Sequence, residues 1–257
     1  MALVEISVKD RIGYITLNRP EKRNSLSPEM VSELKIAFQE AESDEHVKVI
    51  VLKANGESFC AGADLAYLQN LQKFSYEENL ADSRHLKELF LQIYTLKKVV
   101  IAQVQGSALA GGCGLATVCD FVLTVPDATF GYTEVKIGFV PAIVMVFLLR
   151  KIGEARAKEL LLTGNLITAE EARSIGLVNR IVDNGSLENE VLTFAATLIN
   201  TASAQSLELT KKMISDVQHM KLEEALDFAA QQNAHARNTD DCKKGIEAFL
   251  SKQPLKW

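Results

Sequence analysis

The stretch Gln105–Ala116, QGSALAGGCGLA, sets four glycines among small residues directly after the apolar run VVIAQV. Bare backbone after a strand serves one of three chemistries: a phosphate cradle, a dinucleotide turn, or backbone N–H groups aimed at an oxygen that gathers negative charge. The phosphate motif fails at its end. Gly106 and Gly111 keep the G-x-x-x-x-G spacing, but Gly112 and Cys113 stand where a lysine and a hydroxyl are needed. The dinucleotide turn needs G-x-G-x-x-G, and that spacing is not met. The third use remains, with N–H groups at a helix start near Gly112 and the positive end of the helix dipole behind them. A similar turn lies upstream, SFCAGADL, Ser58–Leu65, after VIVLKA. Together the two turns can present one N–H each to a single oxygen, which is an oxyanion hole. Taken alone, each is better explained by small residues that let a helix pack closely on a strand.

The other reactive side chains point to no further chemistry. Cys60, Cys113, Cys119 and Cys242 lack paired metal or CxxC spacing, and His46, His85, His219 and His235 are scattered. The cysteines are expected to be small buried hydrophobes. Cys113, among glycines, is the one that exposure would turn into a nucleophile. No metal site is expected.

The elements that must position the turns are readable. Val4, Ile6 and Val8, then Lys9-Asp10-Arg11, then Ile12, Tyr14 and Thr16 predict a hairpin turning in the charged triplet. Ser27 caps a helix with Pro28 at its first position, and Met30, Leu34, Ala37, Phe38 and Ala41 keep helical spacing. VKVIVLKA, VVIAQVQG and FVLTV read as buried strands, with helical stretches such as NLADSRHLKELFLQIYTL between them, so the fold class is α/β. From about Gly153 the pattern is helices only, including a capping box at Thr168–Glu171 and a stop at Gly176. Leu222, Leu226 and Ala229 share one helical face and are expected to be buried, against this chain or another. The division expected is a core over residues 1–200 and a helical region over 201–257.

Composition narrows the partners. The 257 residues carry a net charge of −5, and 47% are hydrophobic. That balance lacks the basic face of a nucleic-acid binder. The longest apolar run, IGFVPAIVMVFLLRK, is shorter than a membrane span and holds Pro141. The first residues show no signal-peptide pattern. A cytoplasmic, reducing location is expected.

NRPEKRNSLS, SFCAGADL, GSALAGGCGLATVCD, FGYTEVKIGFVP, LLLTGNLITAEEARSIGLVN and CKKGIEAFLSK, in this order and spacing, resemble the enoyl-CoA hydratase/isomerase (crotonase) family. The resemblance implies a spiral of ββα units with a helical C-terminal trimerisation region, assembled as a homotrimer or a dimer of trimers. It implies an acyl-CoA thioester as substrate, with coenzyme A part of that substrate and no separate cofactor. Ala63 and Gly111 match the two oxyanion-hole donors. Lys22 and Arg23 match the loop that meets coenzyme A, and Ala61, Asp64 and Leu65 fall in the acyl-CoA-binding turn. Phe249 and Lys252 match positions that complete the coenzyme A site from a neighbouring subunit. Asp64 is expected to cap the helix after Ala63 rather than to carry protons.

The pattern departs from the family in two places. Hydratases of this kind hold one water between two glutamates. The second matches Glu134, and the first would fall at Gly114, where it is missing. The common PGxGGTQRL run is replaced by PAIVMVFLL, Pro141–Leu149. Glu134 alone still permits hydration of an α,β-unsaturated thioester, or a proton shuttle between C4 and C2 that isomerises the double bond. Beside the IGFVP run, burial is expected to raise its pKa. In its finer detail the sequence is similar to methylglutaconyl-CoA hydratases, enzymes of branched acyl-CoA such as arise in leucine breakdown. Arg84 or His85 would pair with the second carboxylate of such a substrate, though a structural salt bridge is the expected role. A non-catalytic thioester-binding scaffold is the reading of another class.

Overall fold

The computed structural model describes residues 2–257, apart from the side chain of Leu65. It opens with the expected hairpin, β1 (Val4–Lys9) and β2 (Ile12–Leu17). Asp10 and Arg11 both have left-handed backbone (φ 51° and 64°), the conformation a two-residue turn needs to follow strand twist. Helix α1 (Pro28–Ser43) starts where the Ser27 hydroxyl accepts from the Met30 N–H, and the five apolar residues named for it are buried, with Val31. After β3 (Val49–Ala54) come α2 (Leu65–Leu71), α3 (Tyr76–Thr95) and β4 (Val99–Val104). Next follow β5 (Ala108–Leu109), α4 (Gly111–Thr117), β6 (Phe121–Thr124) and β7 (Thr129–Gly131). Helix α5 (Ala142–Thr163) bends at Gly153, whose φ of 76° lies outside helical geometry.

Two short strands correct the helices-only reading beyond Gly153. They are β8 (Leu166–Thr168) and, after α6 (Ala169–Ser174), β9 (Arg180–Ile181). β8 pairs with β7 and β9 with β6. Runs of three and two residues are too short for hydrophobic period to register, and their partners lie far upstream in sequence. The capping box reaches from Thr168 to Glu171 as expected, and Gly176 takes φ 84° just beyond that helix.

The main sheet runs in the order β1-β2-β3-β4-β6-β9, parallel except for the hairpin, with Tyr14, Val51, Ile101 and Phe121 in register across it. A small sheet, β5-β7-β8, lies next in the chain's path. β3 and β4 are buried almost throughout; α7 (Leu187–Thr201) packs on both and α1 covers β1 and β2, the cover that parallel strands require.

The helical end comprises α8 (Ala204–Val217), α9 (Leu222–Arg237) and α10 (Asp240–Ser251). The Lys211 ammonium fastens α8 to the core through the Asp120 carboxylate at 2.7 Å. The Lys48 ammonium donates to the carbonyls of Ile199 and Ala202 at the end of α7, and burial lowers its pKa to about 8. Leu222 and Leu226, expected to be buried against this chain or another, are 76% and 60% exposed, because nothing among the described residues covers that face of α9. Among the described residues no helix is long and apolar enough to cross a membrane.

Candidate functional site

The loop Arg19–Ser27 and the two glycine turns are stitched together by backbone. The Ala61 N–H donates to the Arg23 carbonyl, Leu26 N–H to Gly62, and Asp64 N–H to Leu26. Phe59 and Cys60 N–H groups share the Ser107 carbonyl, and Leu109 N–H donates back to Cys60. Asn24 braces the loop through its amide, which donates to the carbonyls of Asn55 and Ser58 at 2.9 Å each. In this weave the Ala63 and Gly111 N–H groups donate to no acceptor among the described residues. They stand on facing turns, since a Cβ built on Gly62 would lie 3.6 Å from the Gly111 nitrogen. The structure therefore brings together Arg23, Ala61, Ala63, Asp64 and Gly111. The side chain of Leu65 lies outside the described residues.

The glycines have a second explanation, which corrects the view that all of them make room for a ligand. A Cβ on Gly106 would collide with the Glu57 carbonyl, and one on Gly112 with the Cys60 carbonyl. A Cβ on Gly114 would run into the Val144 side chain. These three let the chain pack against itself. Gly111 is different: among the described residues only the Leu26 Cδ1, at 3.3 Å, lies near its Cβ direction. Ala110, which the sequence did not single out, holds the junction at φ 49° and ψ −124°. Such a conformation costs a non-glycine residue energy and persists only when neighbours pin it. Here its N–H donates to Gly131 and its carbonyl accepts from Gly114.

Asp64 is a fixed anion. Its carboxylate caps α2 by accepting from the Ala66 and Tyr67 N–H groups and pairs with Arg19 at 2.9 Å. Burial pushes its pKa up, but the Tyr67 N–H, the Arg19 charge and the Ala66 N–H outweigh that and hold it below the ordinary aspartate value. Capping, the role expected, is what the geometry provides.

Glu134 is the opposite case. It begins a single 3-10 turn after β7, and its Oε2 is shielded from solvent with no hydrogen-bond partner among the described residues. Desolvation raises its pKa, offset only in part by a backbone hydrogen bond. Its charge adds to the rise in pKa of the Cys113 thiol, on α4, and of the nearby Tyr132 phenol. Tyr132 ties β7 to that helix. The fully buried phenol meets the Thr117 hydroxyl at 2.7 Å, and Thr117 donates to the Cys113 carbonyl at 2.8 Å. Tyr132 lay inside the FGYTE segment, but nothing in the sequence marked its hydroxyl as the anchor.

The remaining candidates separate. Cys113 is fully buried, and desolvation pushes its thiol up to about 11, which removes it as a nucleophile. Lys22 and Arg23 are exposed on their loop. Phe249, 82% exposed, and Lys252 sit at the end of α10, which packs on α8 and α9. Neither is joined to the two turns by a hydrogen bond or ion pair among the described residues. The salt bridge expected for Arg84 or His85 is not formed among the described residues. His85 instead meets the Ser32 hydroxyl at 3.1 Å and the Pro28 carbonyl at 3.2 Å, because α3 packs directly on α1 there.

Two backbone N–H groups without acceptors on adjacent turns can hold an enolate oxygen, and a desolvated carboxylate can move one proton. Comparison with known proteins agrees with that arrangement. The Enoyl-CoA hydratase/isomerase family matches residues 7–257. The chain is 46% identical over 246 residues to a Thermus thermophilus protein named "Putative enoyl-CoA hydratase", covering 96% of this chain and 97% of that one. It is 33% identical to the crotonyl-CoA hydratase of Syntrophomonas wolfei, over 95% of this chain and 94% of the other. The crystal structure of an enoyl-CoA hydratase from Mycobacterium smegmatis superposes with a TM-score of 0.94 at 30% identity, covering 99% and 98% of the two chains. With its paired turns, its sheet order and nearly its whole length accounted for, this chain belongs to the enoyl-CoA hydratase/isomerase family.

Proposed function

We propose that this protein adds water to, or removes it from, an α,β-unsaturated acyl-CoA thioester, with Glu134 as the single acid/base. The observation that carries the reading is the Glu134 Oε2, shielded from solvent with no hydrogen-bond partner among the described residues. In hydration Glu134 takes a proton from water as the water oxygen bonds C3. The C2=C3 electron pair then moves onto the thioester oxygen, where the Ala63 and Gly111 N–H groups hold the enolate. Protonated Glu134 returns a proton to C2, and the enolate collapses. No cofactor beyond the coenzyme A of the substrate takes part in this scheme.

A single carboxylate also supports isomerisation between C4 and C2, which needs no water, so a Δ3,Δ2-enoyl-CoA isomerase is the second reading. A non-catalytic scaffold is disfavoured, because burying an unpartnered carboxylate costs stability that only a function offsets. The finer resemblance supports a short branched, glutaconyl-type acyl group, handled in the cytoplasm. Arg84, exposed, and His85, bound to α1, give that second carboxylate no counter-charge from this chain. Lys22 and Arg23 are proposed to meet the coenzyme A phosphates, with Phe249 and Lys252 reaching the site of a neighbouring subunit.

A homotrimer or dimer of trimers is proposed on the apolar surface that the helical end leaves open, including Leu222, Leu226, Phe249 and Leu250. Light scattering that gives a monomer at micromolar concentration overturns the assembly. For the activity, crotonyl-CoA, a 3-enoyl-CoA and 3-methylglutaconyl-CoA are incubated with the protein and the products resolved. A 3-hydroxyacyl-CoA product supports hydration, a shifted double bond supports isomerisation, and no product from any of them supports the scaffold.

A further inference from the structure

The space beside Gly114 is filled from another helix. A Cβ at Gly114 would lie 3.1 Å from both the Val144 Cβ and the Phe90 Cε2, and closer still to a Val144 methyl. Gly114 is buried on α4 and Val144, on the first turn of α5, is 4% exposed. Phe90 is in turn held edge-on by Phe147, 6.3 Å between ring centroids, so the plug is braced on its far side. The plug comes from the PAIVMVFLL run, one of the two sequence departures, and it fills the place left by the other.

We propose that Val144, backed by Phe90, is the specificity-determining residue that sets the depth of the acyl pocket. This rests on the oxyanion-hole reading of Ala63 and Gly111. Gly114 lies three residues beyond Gly111 and on the same face of α4. Three residues of helix rise about 4.5 Å, which is the reach from a thioester oxygen to roughly the fourth carbon of an extended acyl chain. A chain that continues along this face meets the Val144 methyls, so short acyl groups fit and long ones are turned away. The two departures are thus one feature: a side chain at residue 114 and valine at 144 compete for the same volume.

The test is calorimetric binding of butyryl-CoA and octanoyl-CoA, both saturated and unreactive, to the full-length protein. Val144→Ala is expected to raise the octanoyl-to-butyryl affinity ratio about tenfold or more, the scale of methylene discrimination in an apolar pocket. Phe90→Leu opens the same volume from the other wall, is expected to shift the ratio in the same direction, and serves if Val144→Ala does not fold. Melting temperatures give a second reading: Gly114→Ala is expected to lower Tm in the wild-type background and far less in Val144→Ala. Binding of both ligands with a ratio unchanged within twofold in both variants overturns the wall while leaving the thioester site intact. Absence of butyryl-CoA binding by the wild type overturns the thioester reading and this proposal with it.

Discussion

The two faces beside α4 have been built in opposite ways. On one, Glu134 keeps a carboxylate oxygen out of water with no partner; on the other, Gly114 and Val144 close a place where a carboxylate would stand with packed hydrocarbon. A buried, unpartnered charge is costly and a filled apolar contact is favourable, so under the proposed function the first face is the one that keeps a reactive group. Asp64 sharpens the contrast. It is also a buried residue, yet Arg19 and two N–H groups hold its carboxylate ionised. In the proposed mechanism, reactivity follows from the missing partner and not from burial alone.

The largest effect that tests this contrast is at Glu134. Glu134→Gln keeps the shape and removes proton transfer, and kcat is expected to fall about 10²–10⁴-fold with acyl-CoA affinity nearly unchanged. The base must be ionised to accept the proton, and desolvation raises its pKa. Activity is therefore expected to fall as pH drops through a value above that of an ordinary glutamate. Near-normal turnover in Glu134→Gln moves the chemistry to another group.

Gly114→Glu attempts to give both faces a carboxylate. Because the new side chain must displace Val144, it is expected to destabilise the fold by about 1–3 kcal/mol in urea unfolding and to raise no turnover. Enhanced hydration with unchanged stability would break the contrast. A like charge beside Glu134 would in addition raise one of the two pKa values, which pushes the acid limb further upward.

The smallest effect belongs to the anchor. Tyr132→Phe removes one buried hydrogen bond to Thr117, worth about 1 kcal/mol. If Tyr132 positions Glu134, kcat is expected to fall several-fold with KM little changed, and the acid limb to move. A purely structural tyrosine would lower Tm and leave the pH profile where it is.

Local chemistry made much of this legible in advance. The turn at Asp10-Arg11, the Ser27 cap, the Thr168–Glu171 box and the Asp64 cap each depend on residues within a few positions of one another. The proposed oxyanion pair rests on taking the two turns together and on the resemblance, since either turn alone reads as packing. For Gly106, Gly112 and Gly114 packing is indeed the reason.

By itself the sequence determined the strands and helices with strong period, the caps and turns between them, and the two small-residue turns, because those are set by short-range sterics and hydrogen bonding. Contacts across long sequence separations were decided by the tertiary structure alone. β9 pairs with β6, Tyr132 ties Glu134 to α4, Lys211 finds Asp120, and Val144 fills the space over Gly114. None of these leaves a periodic trace, since each depends on which surfaces the folded backbone brings within a few ångströms.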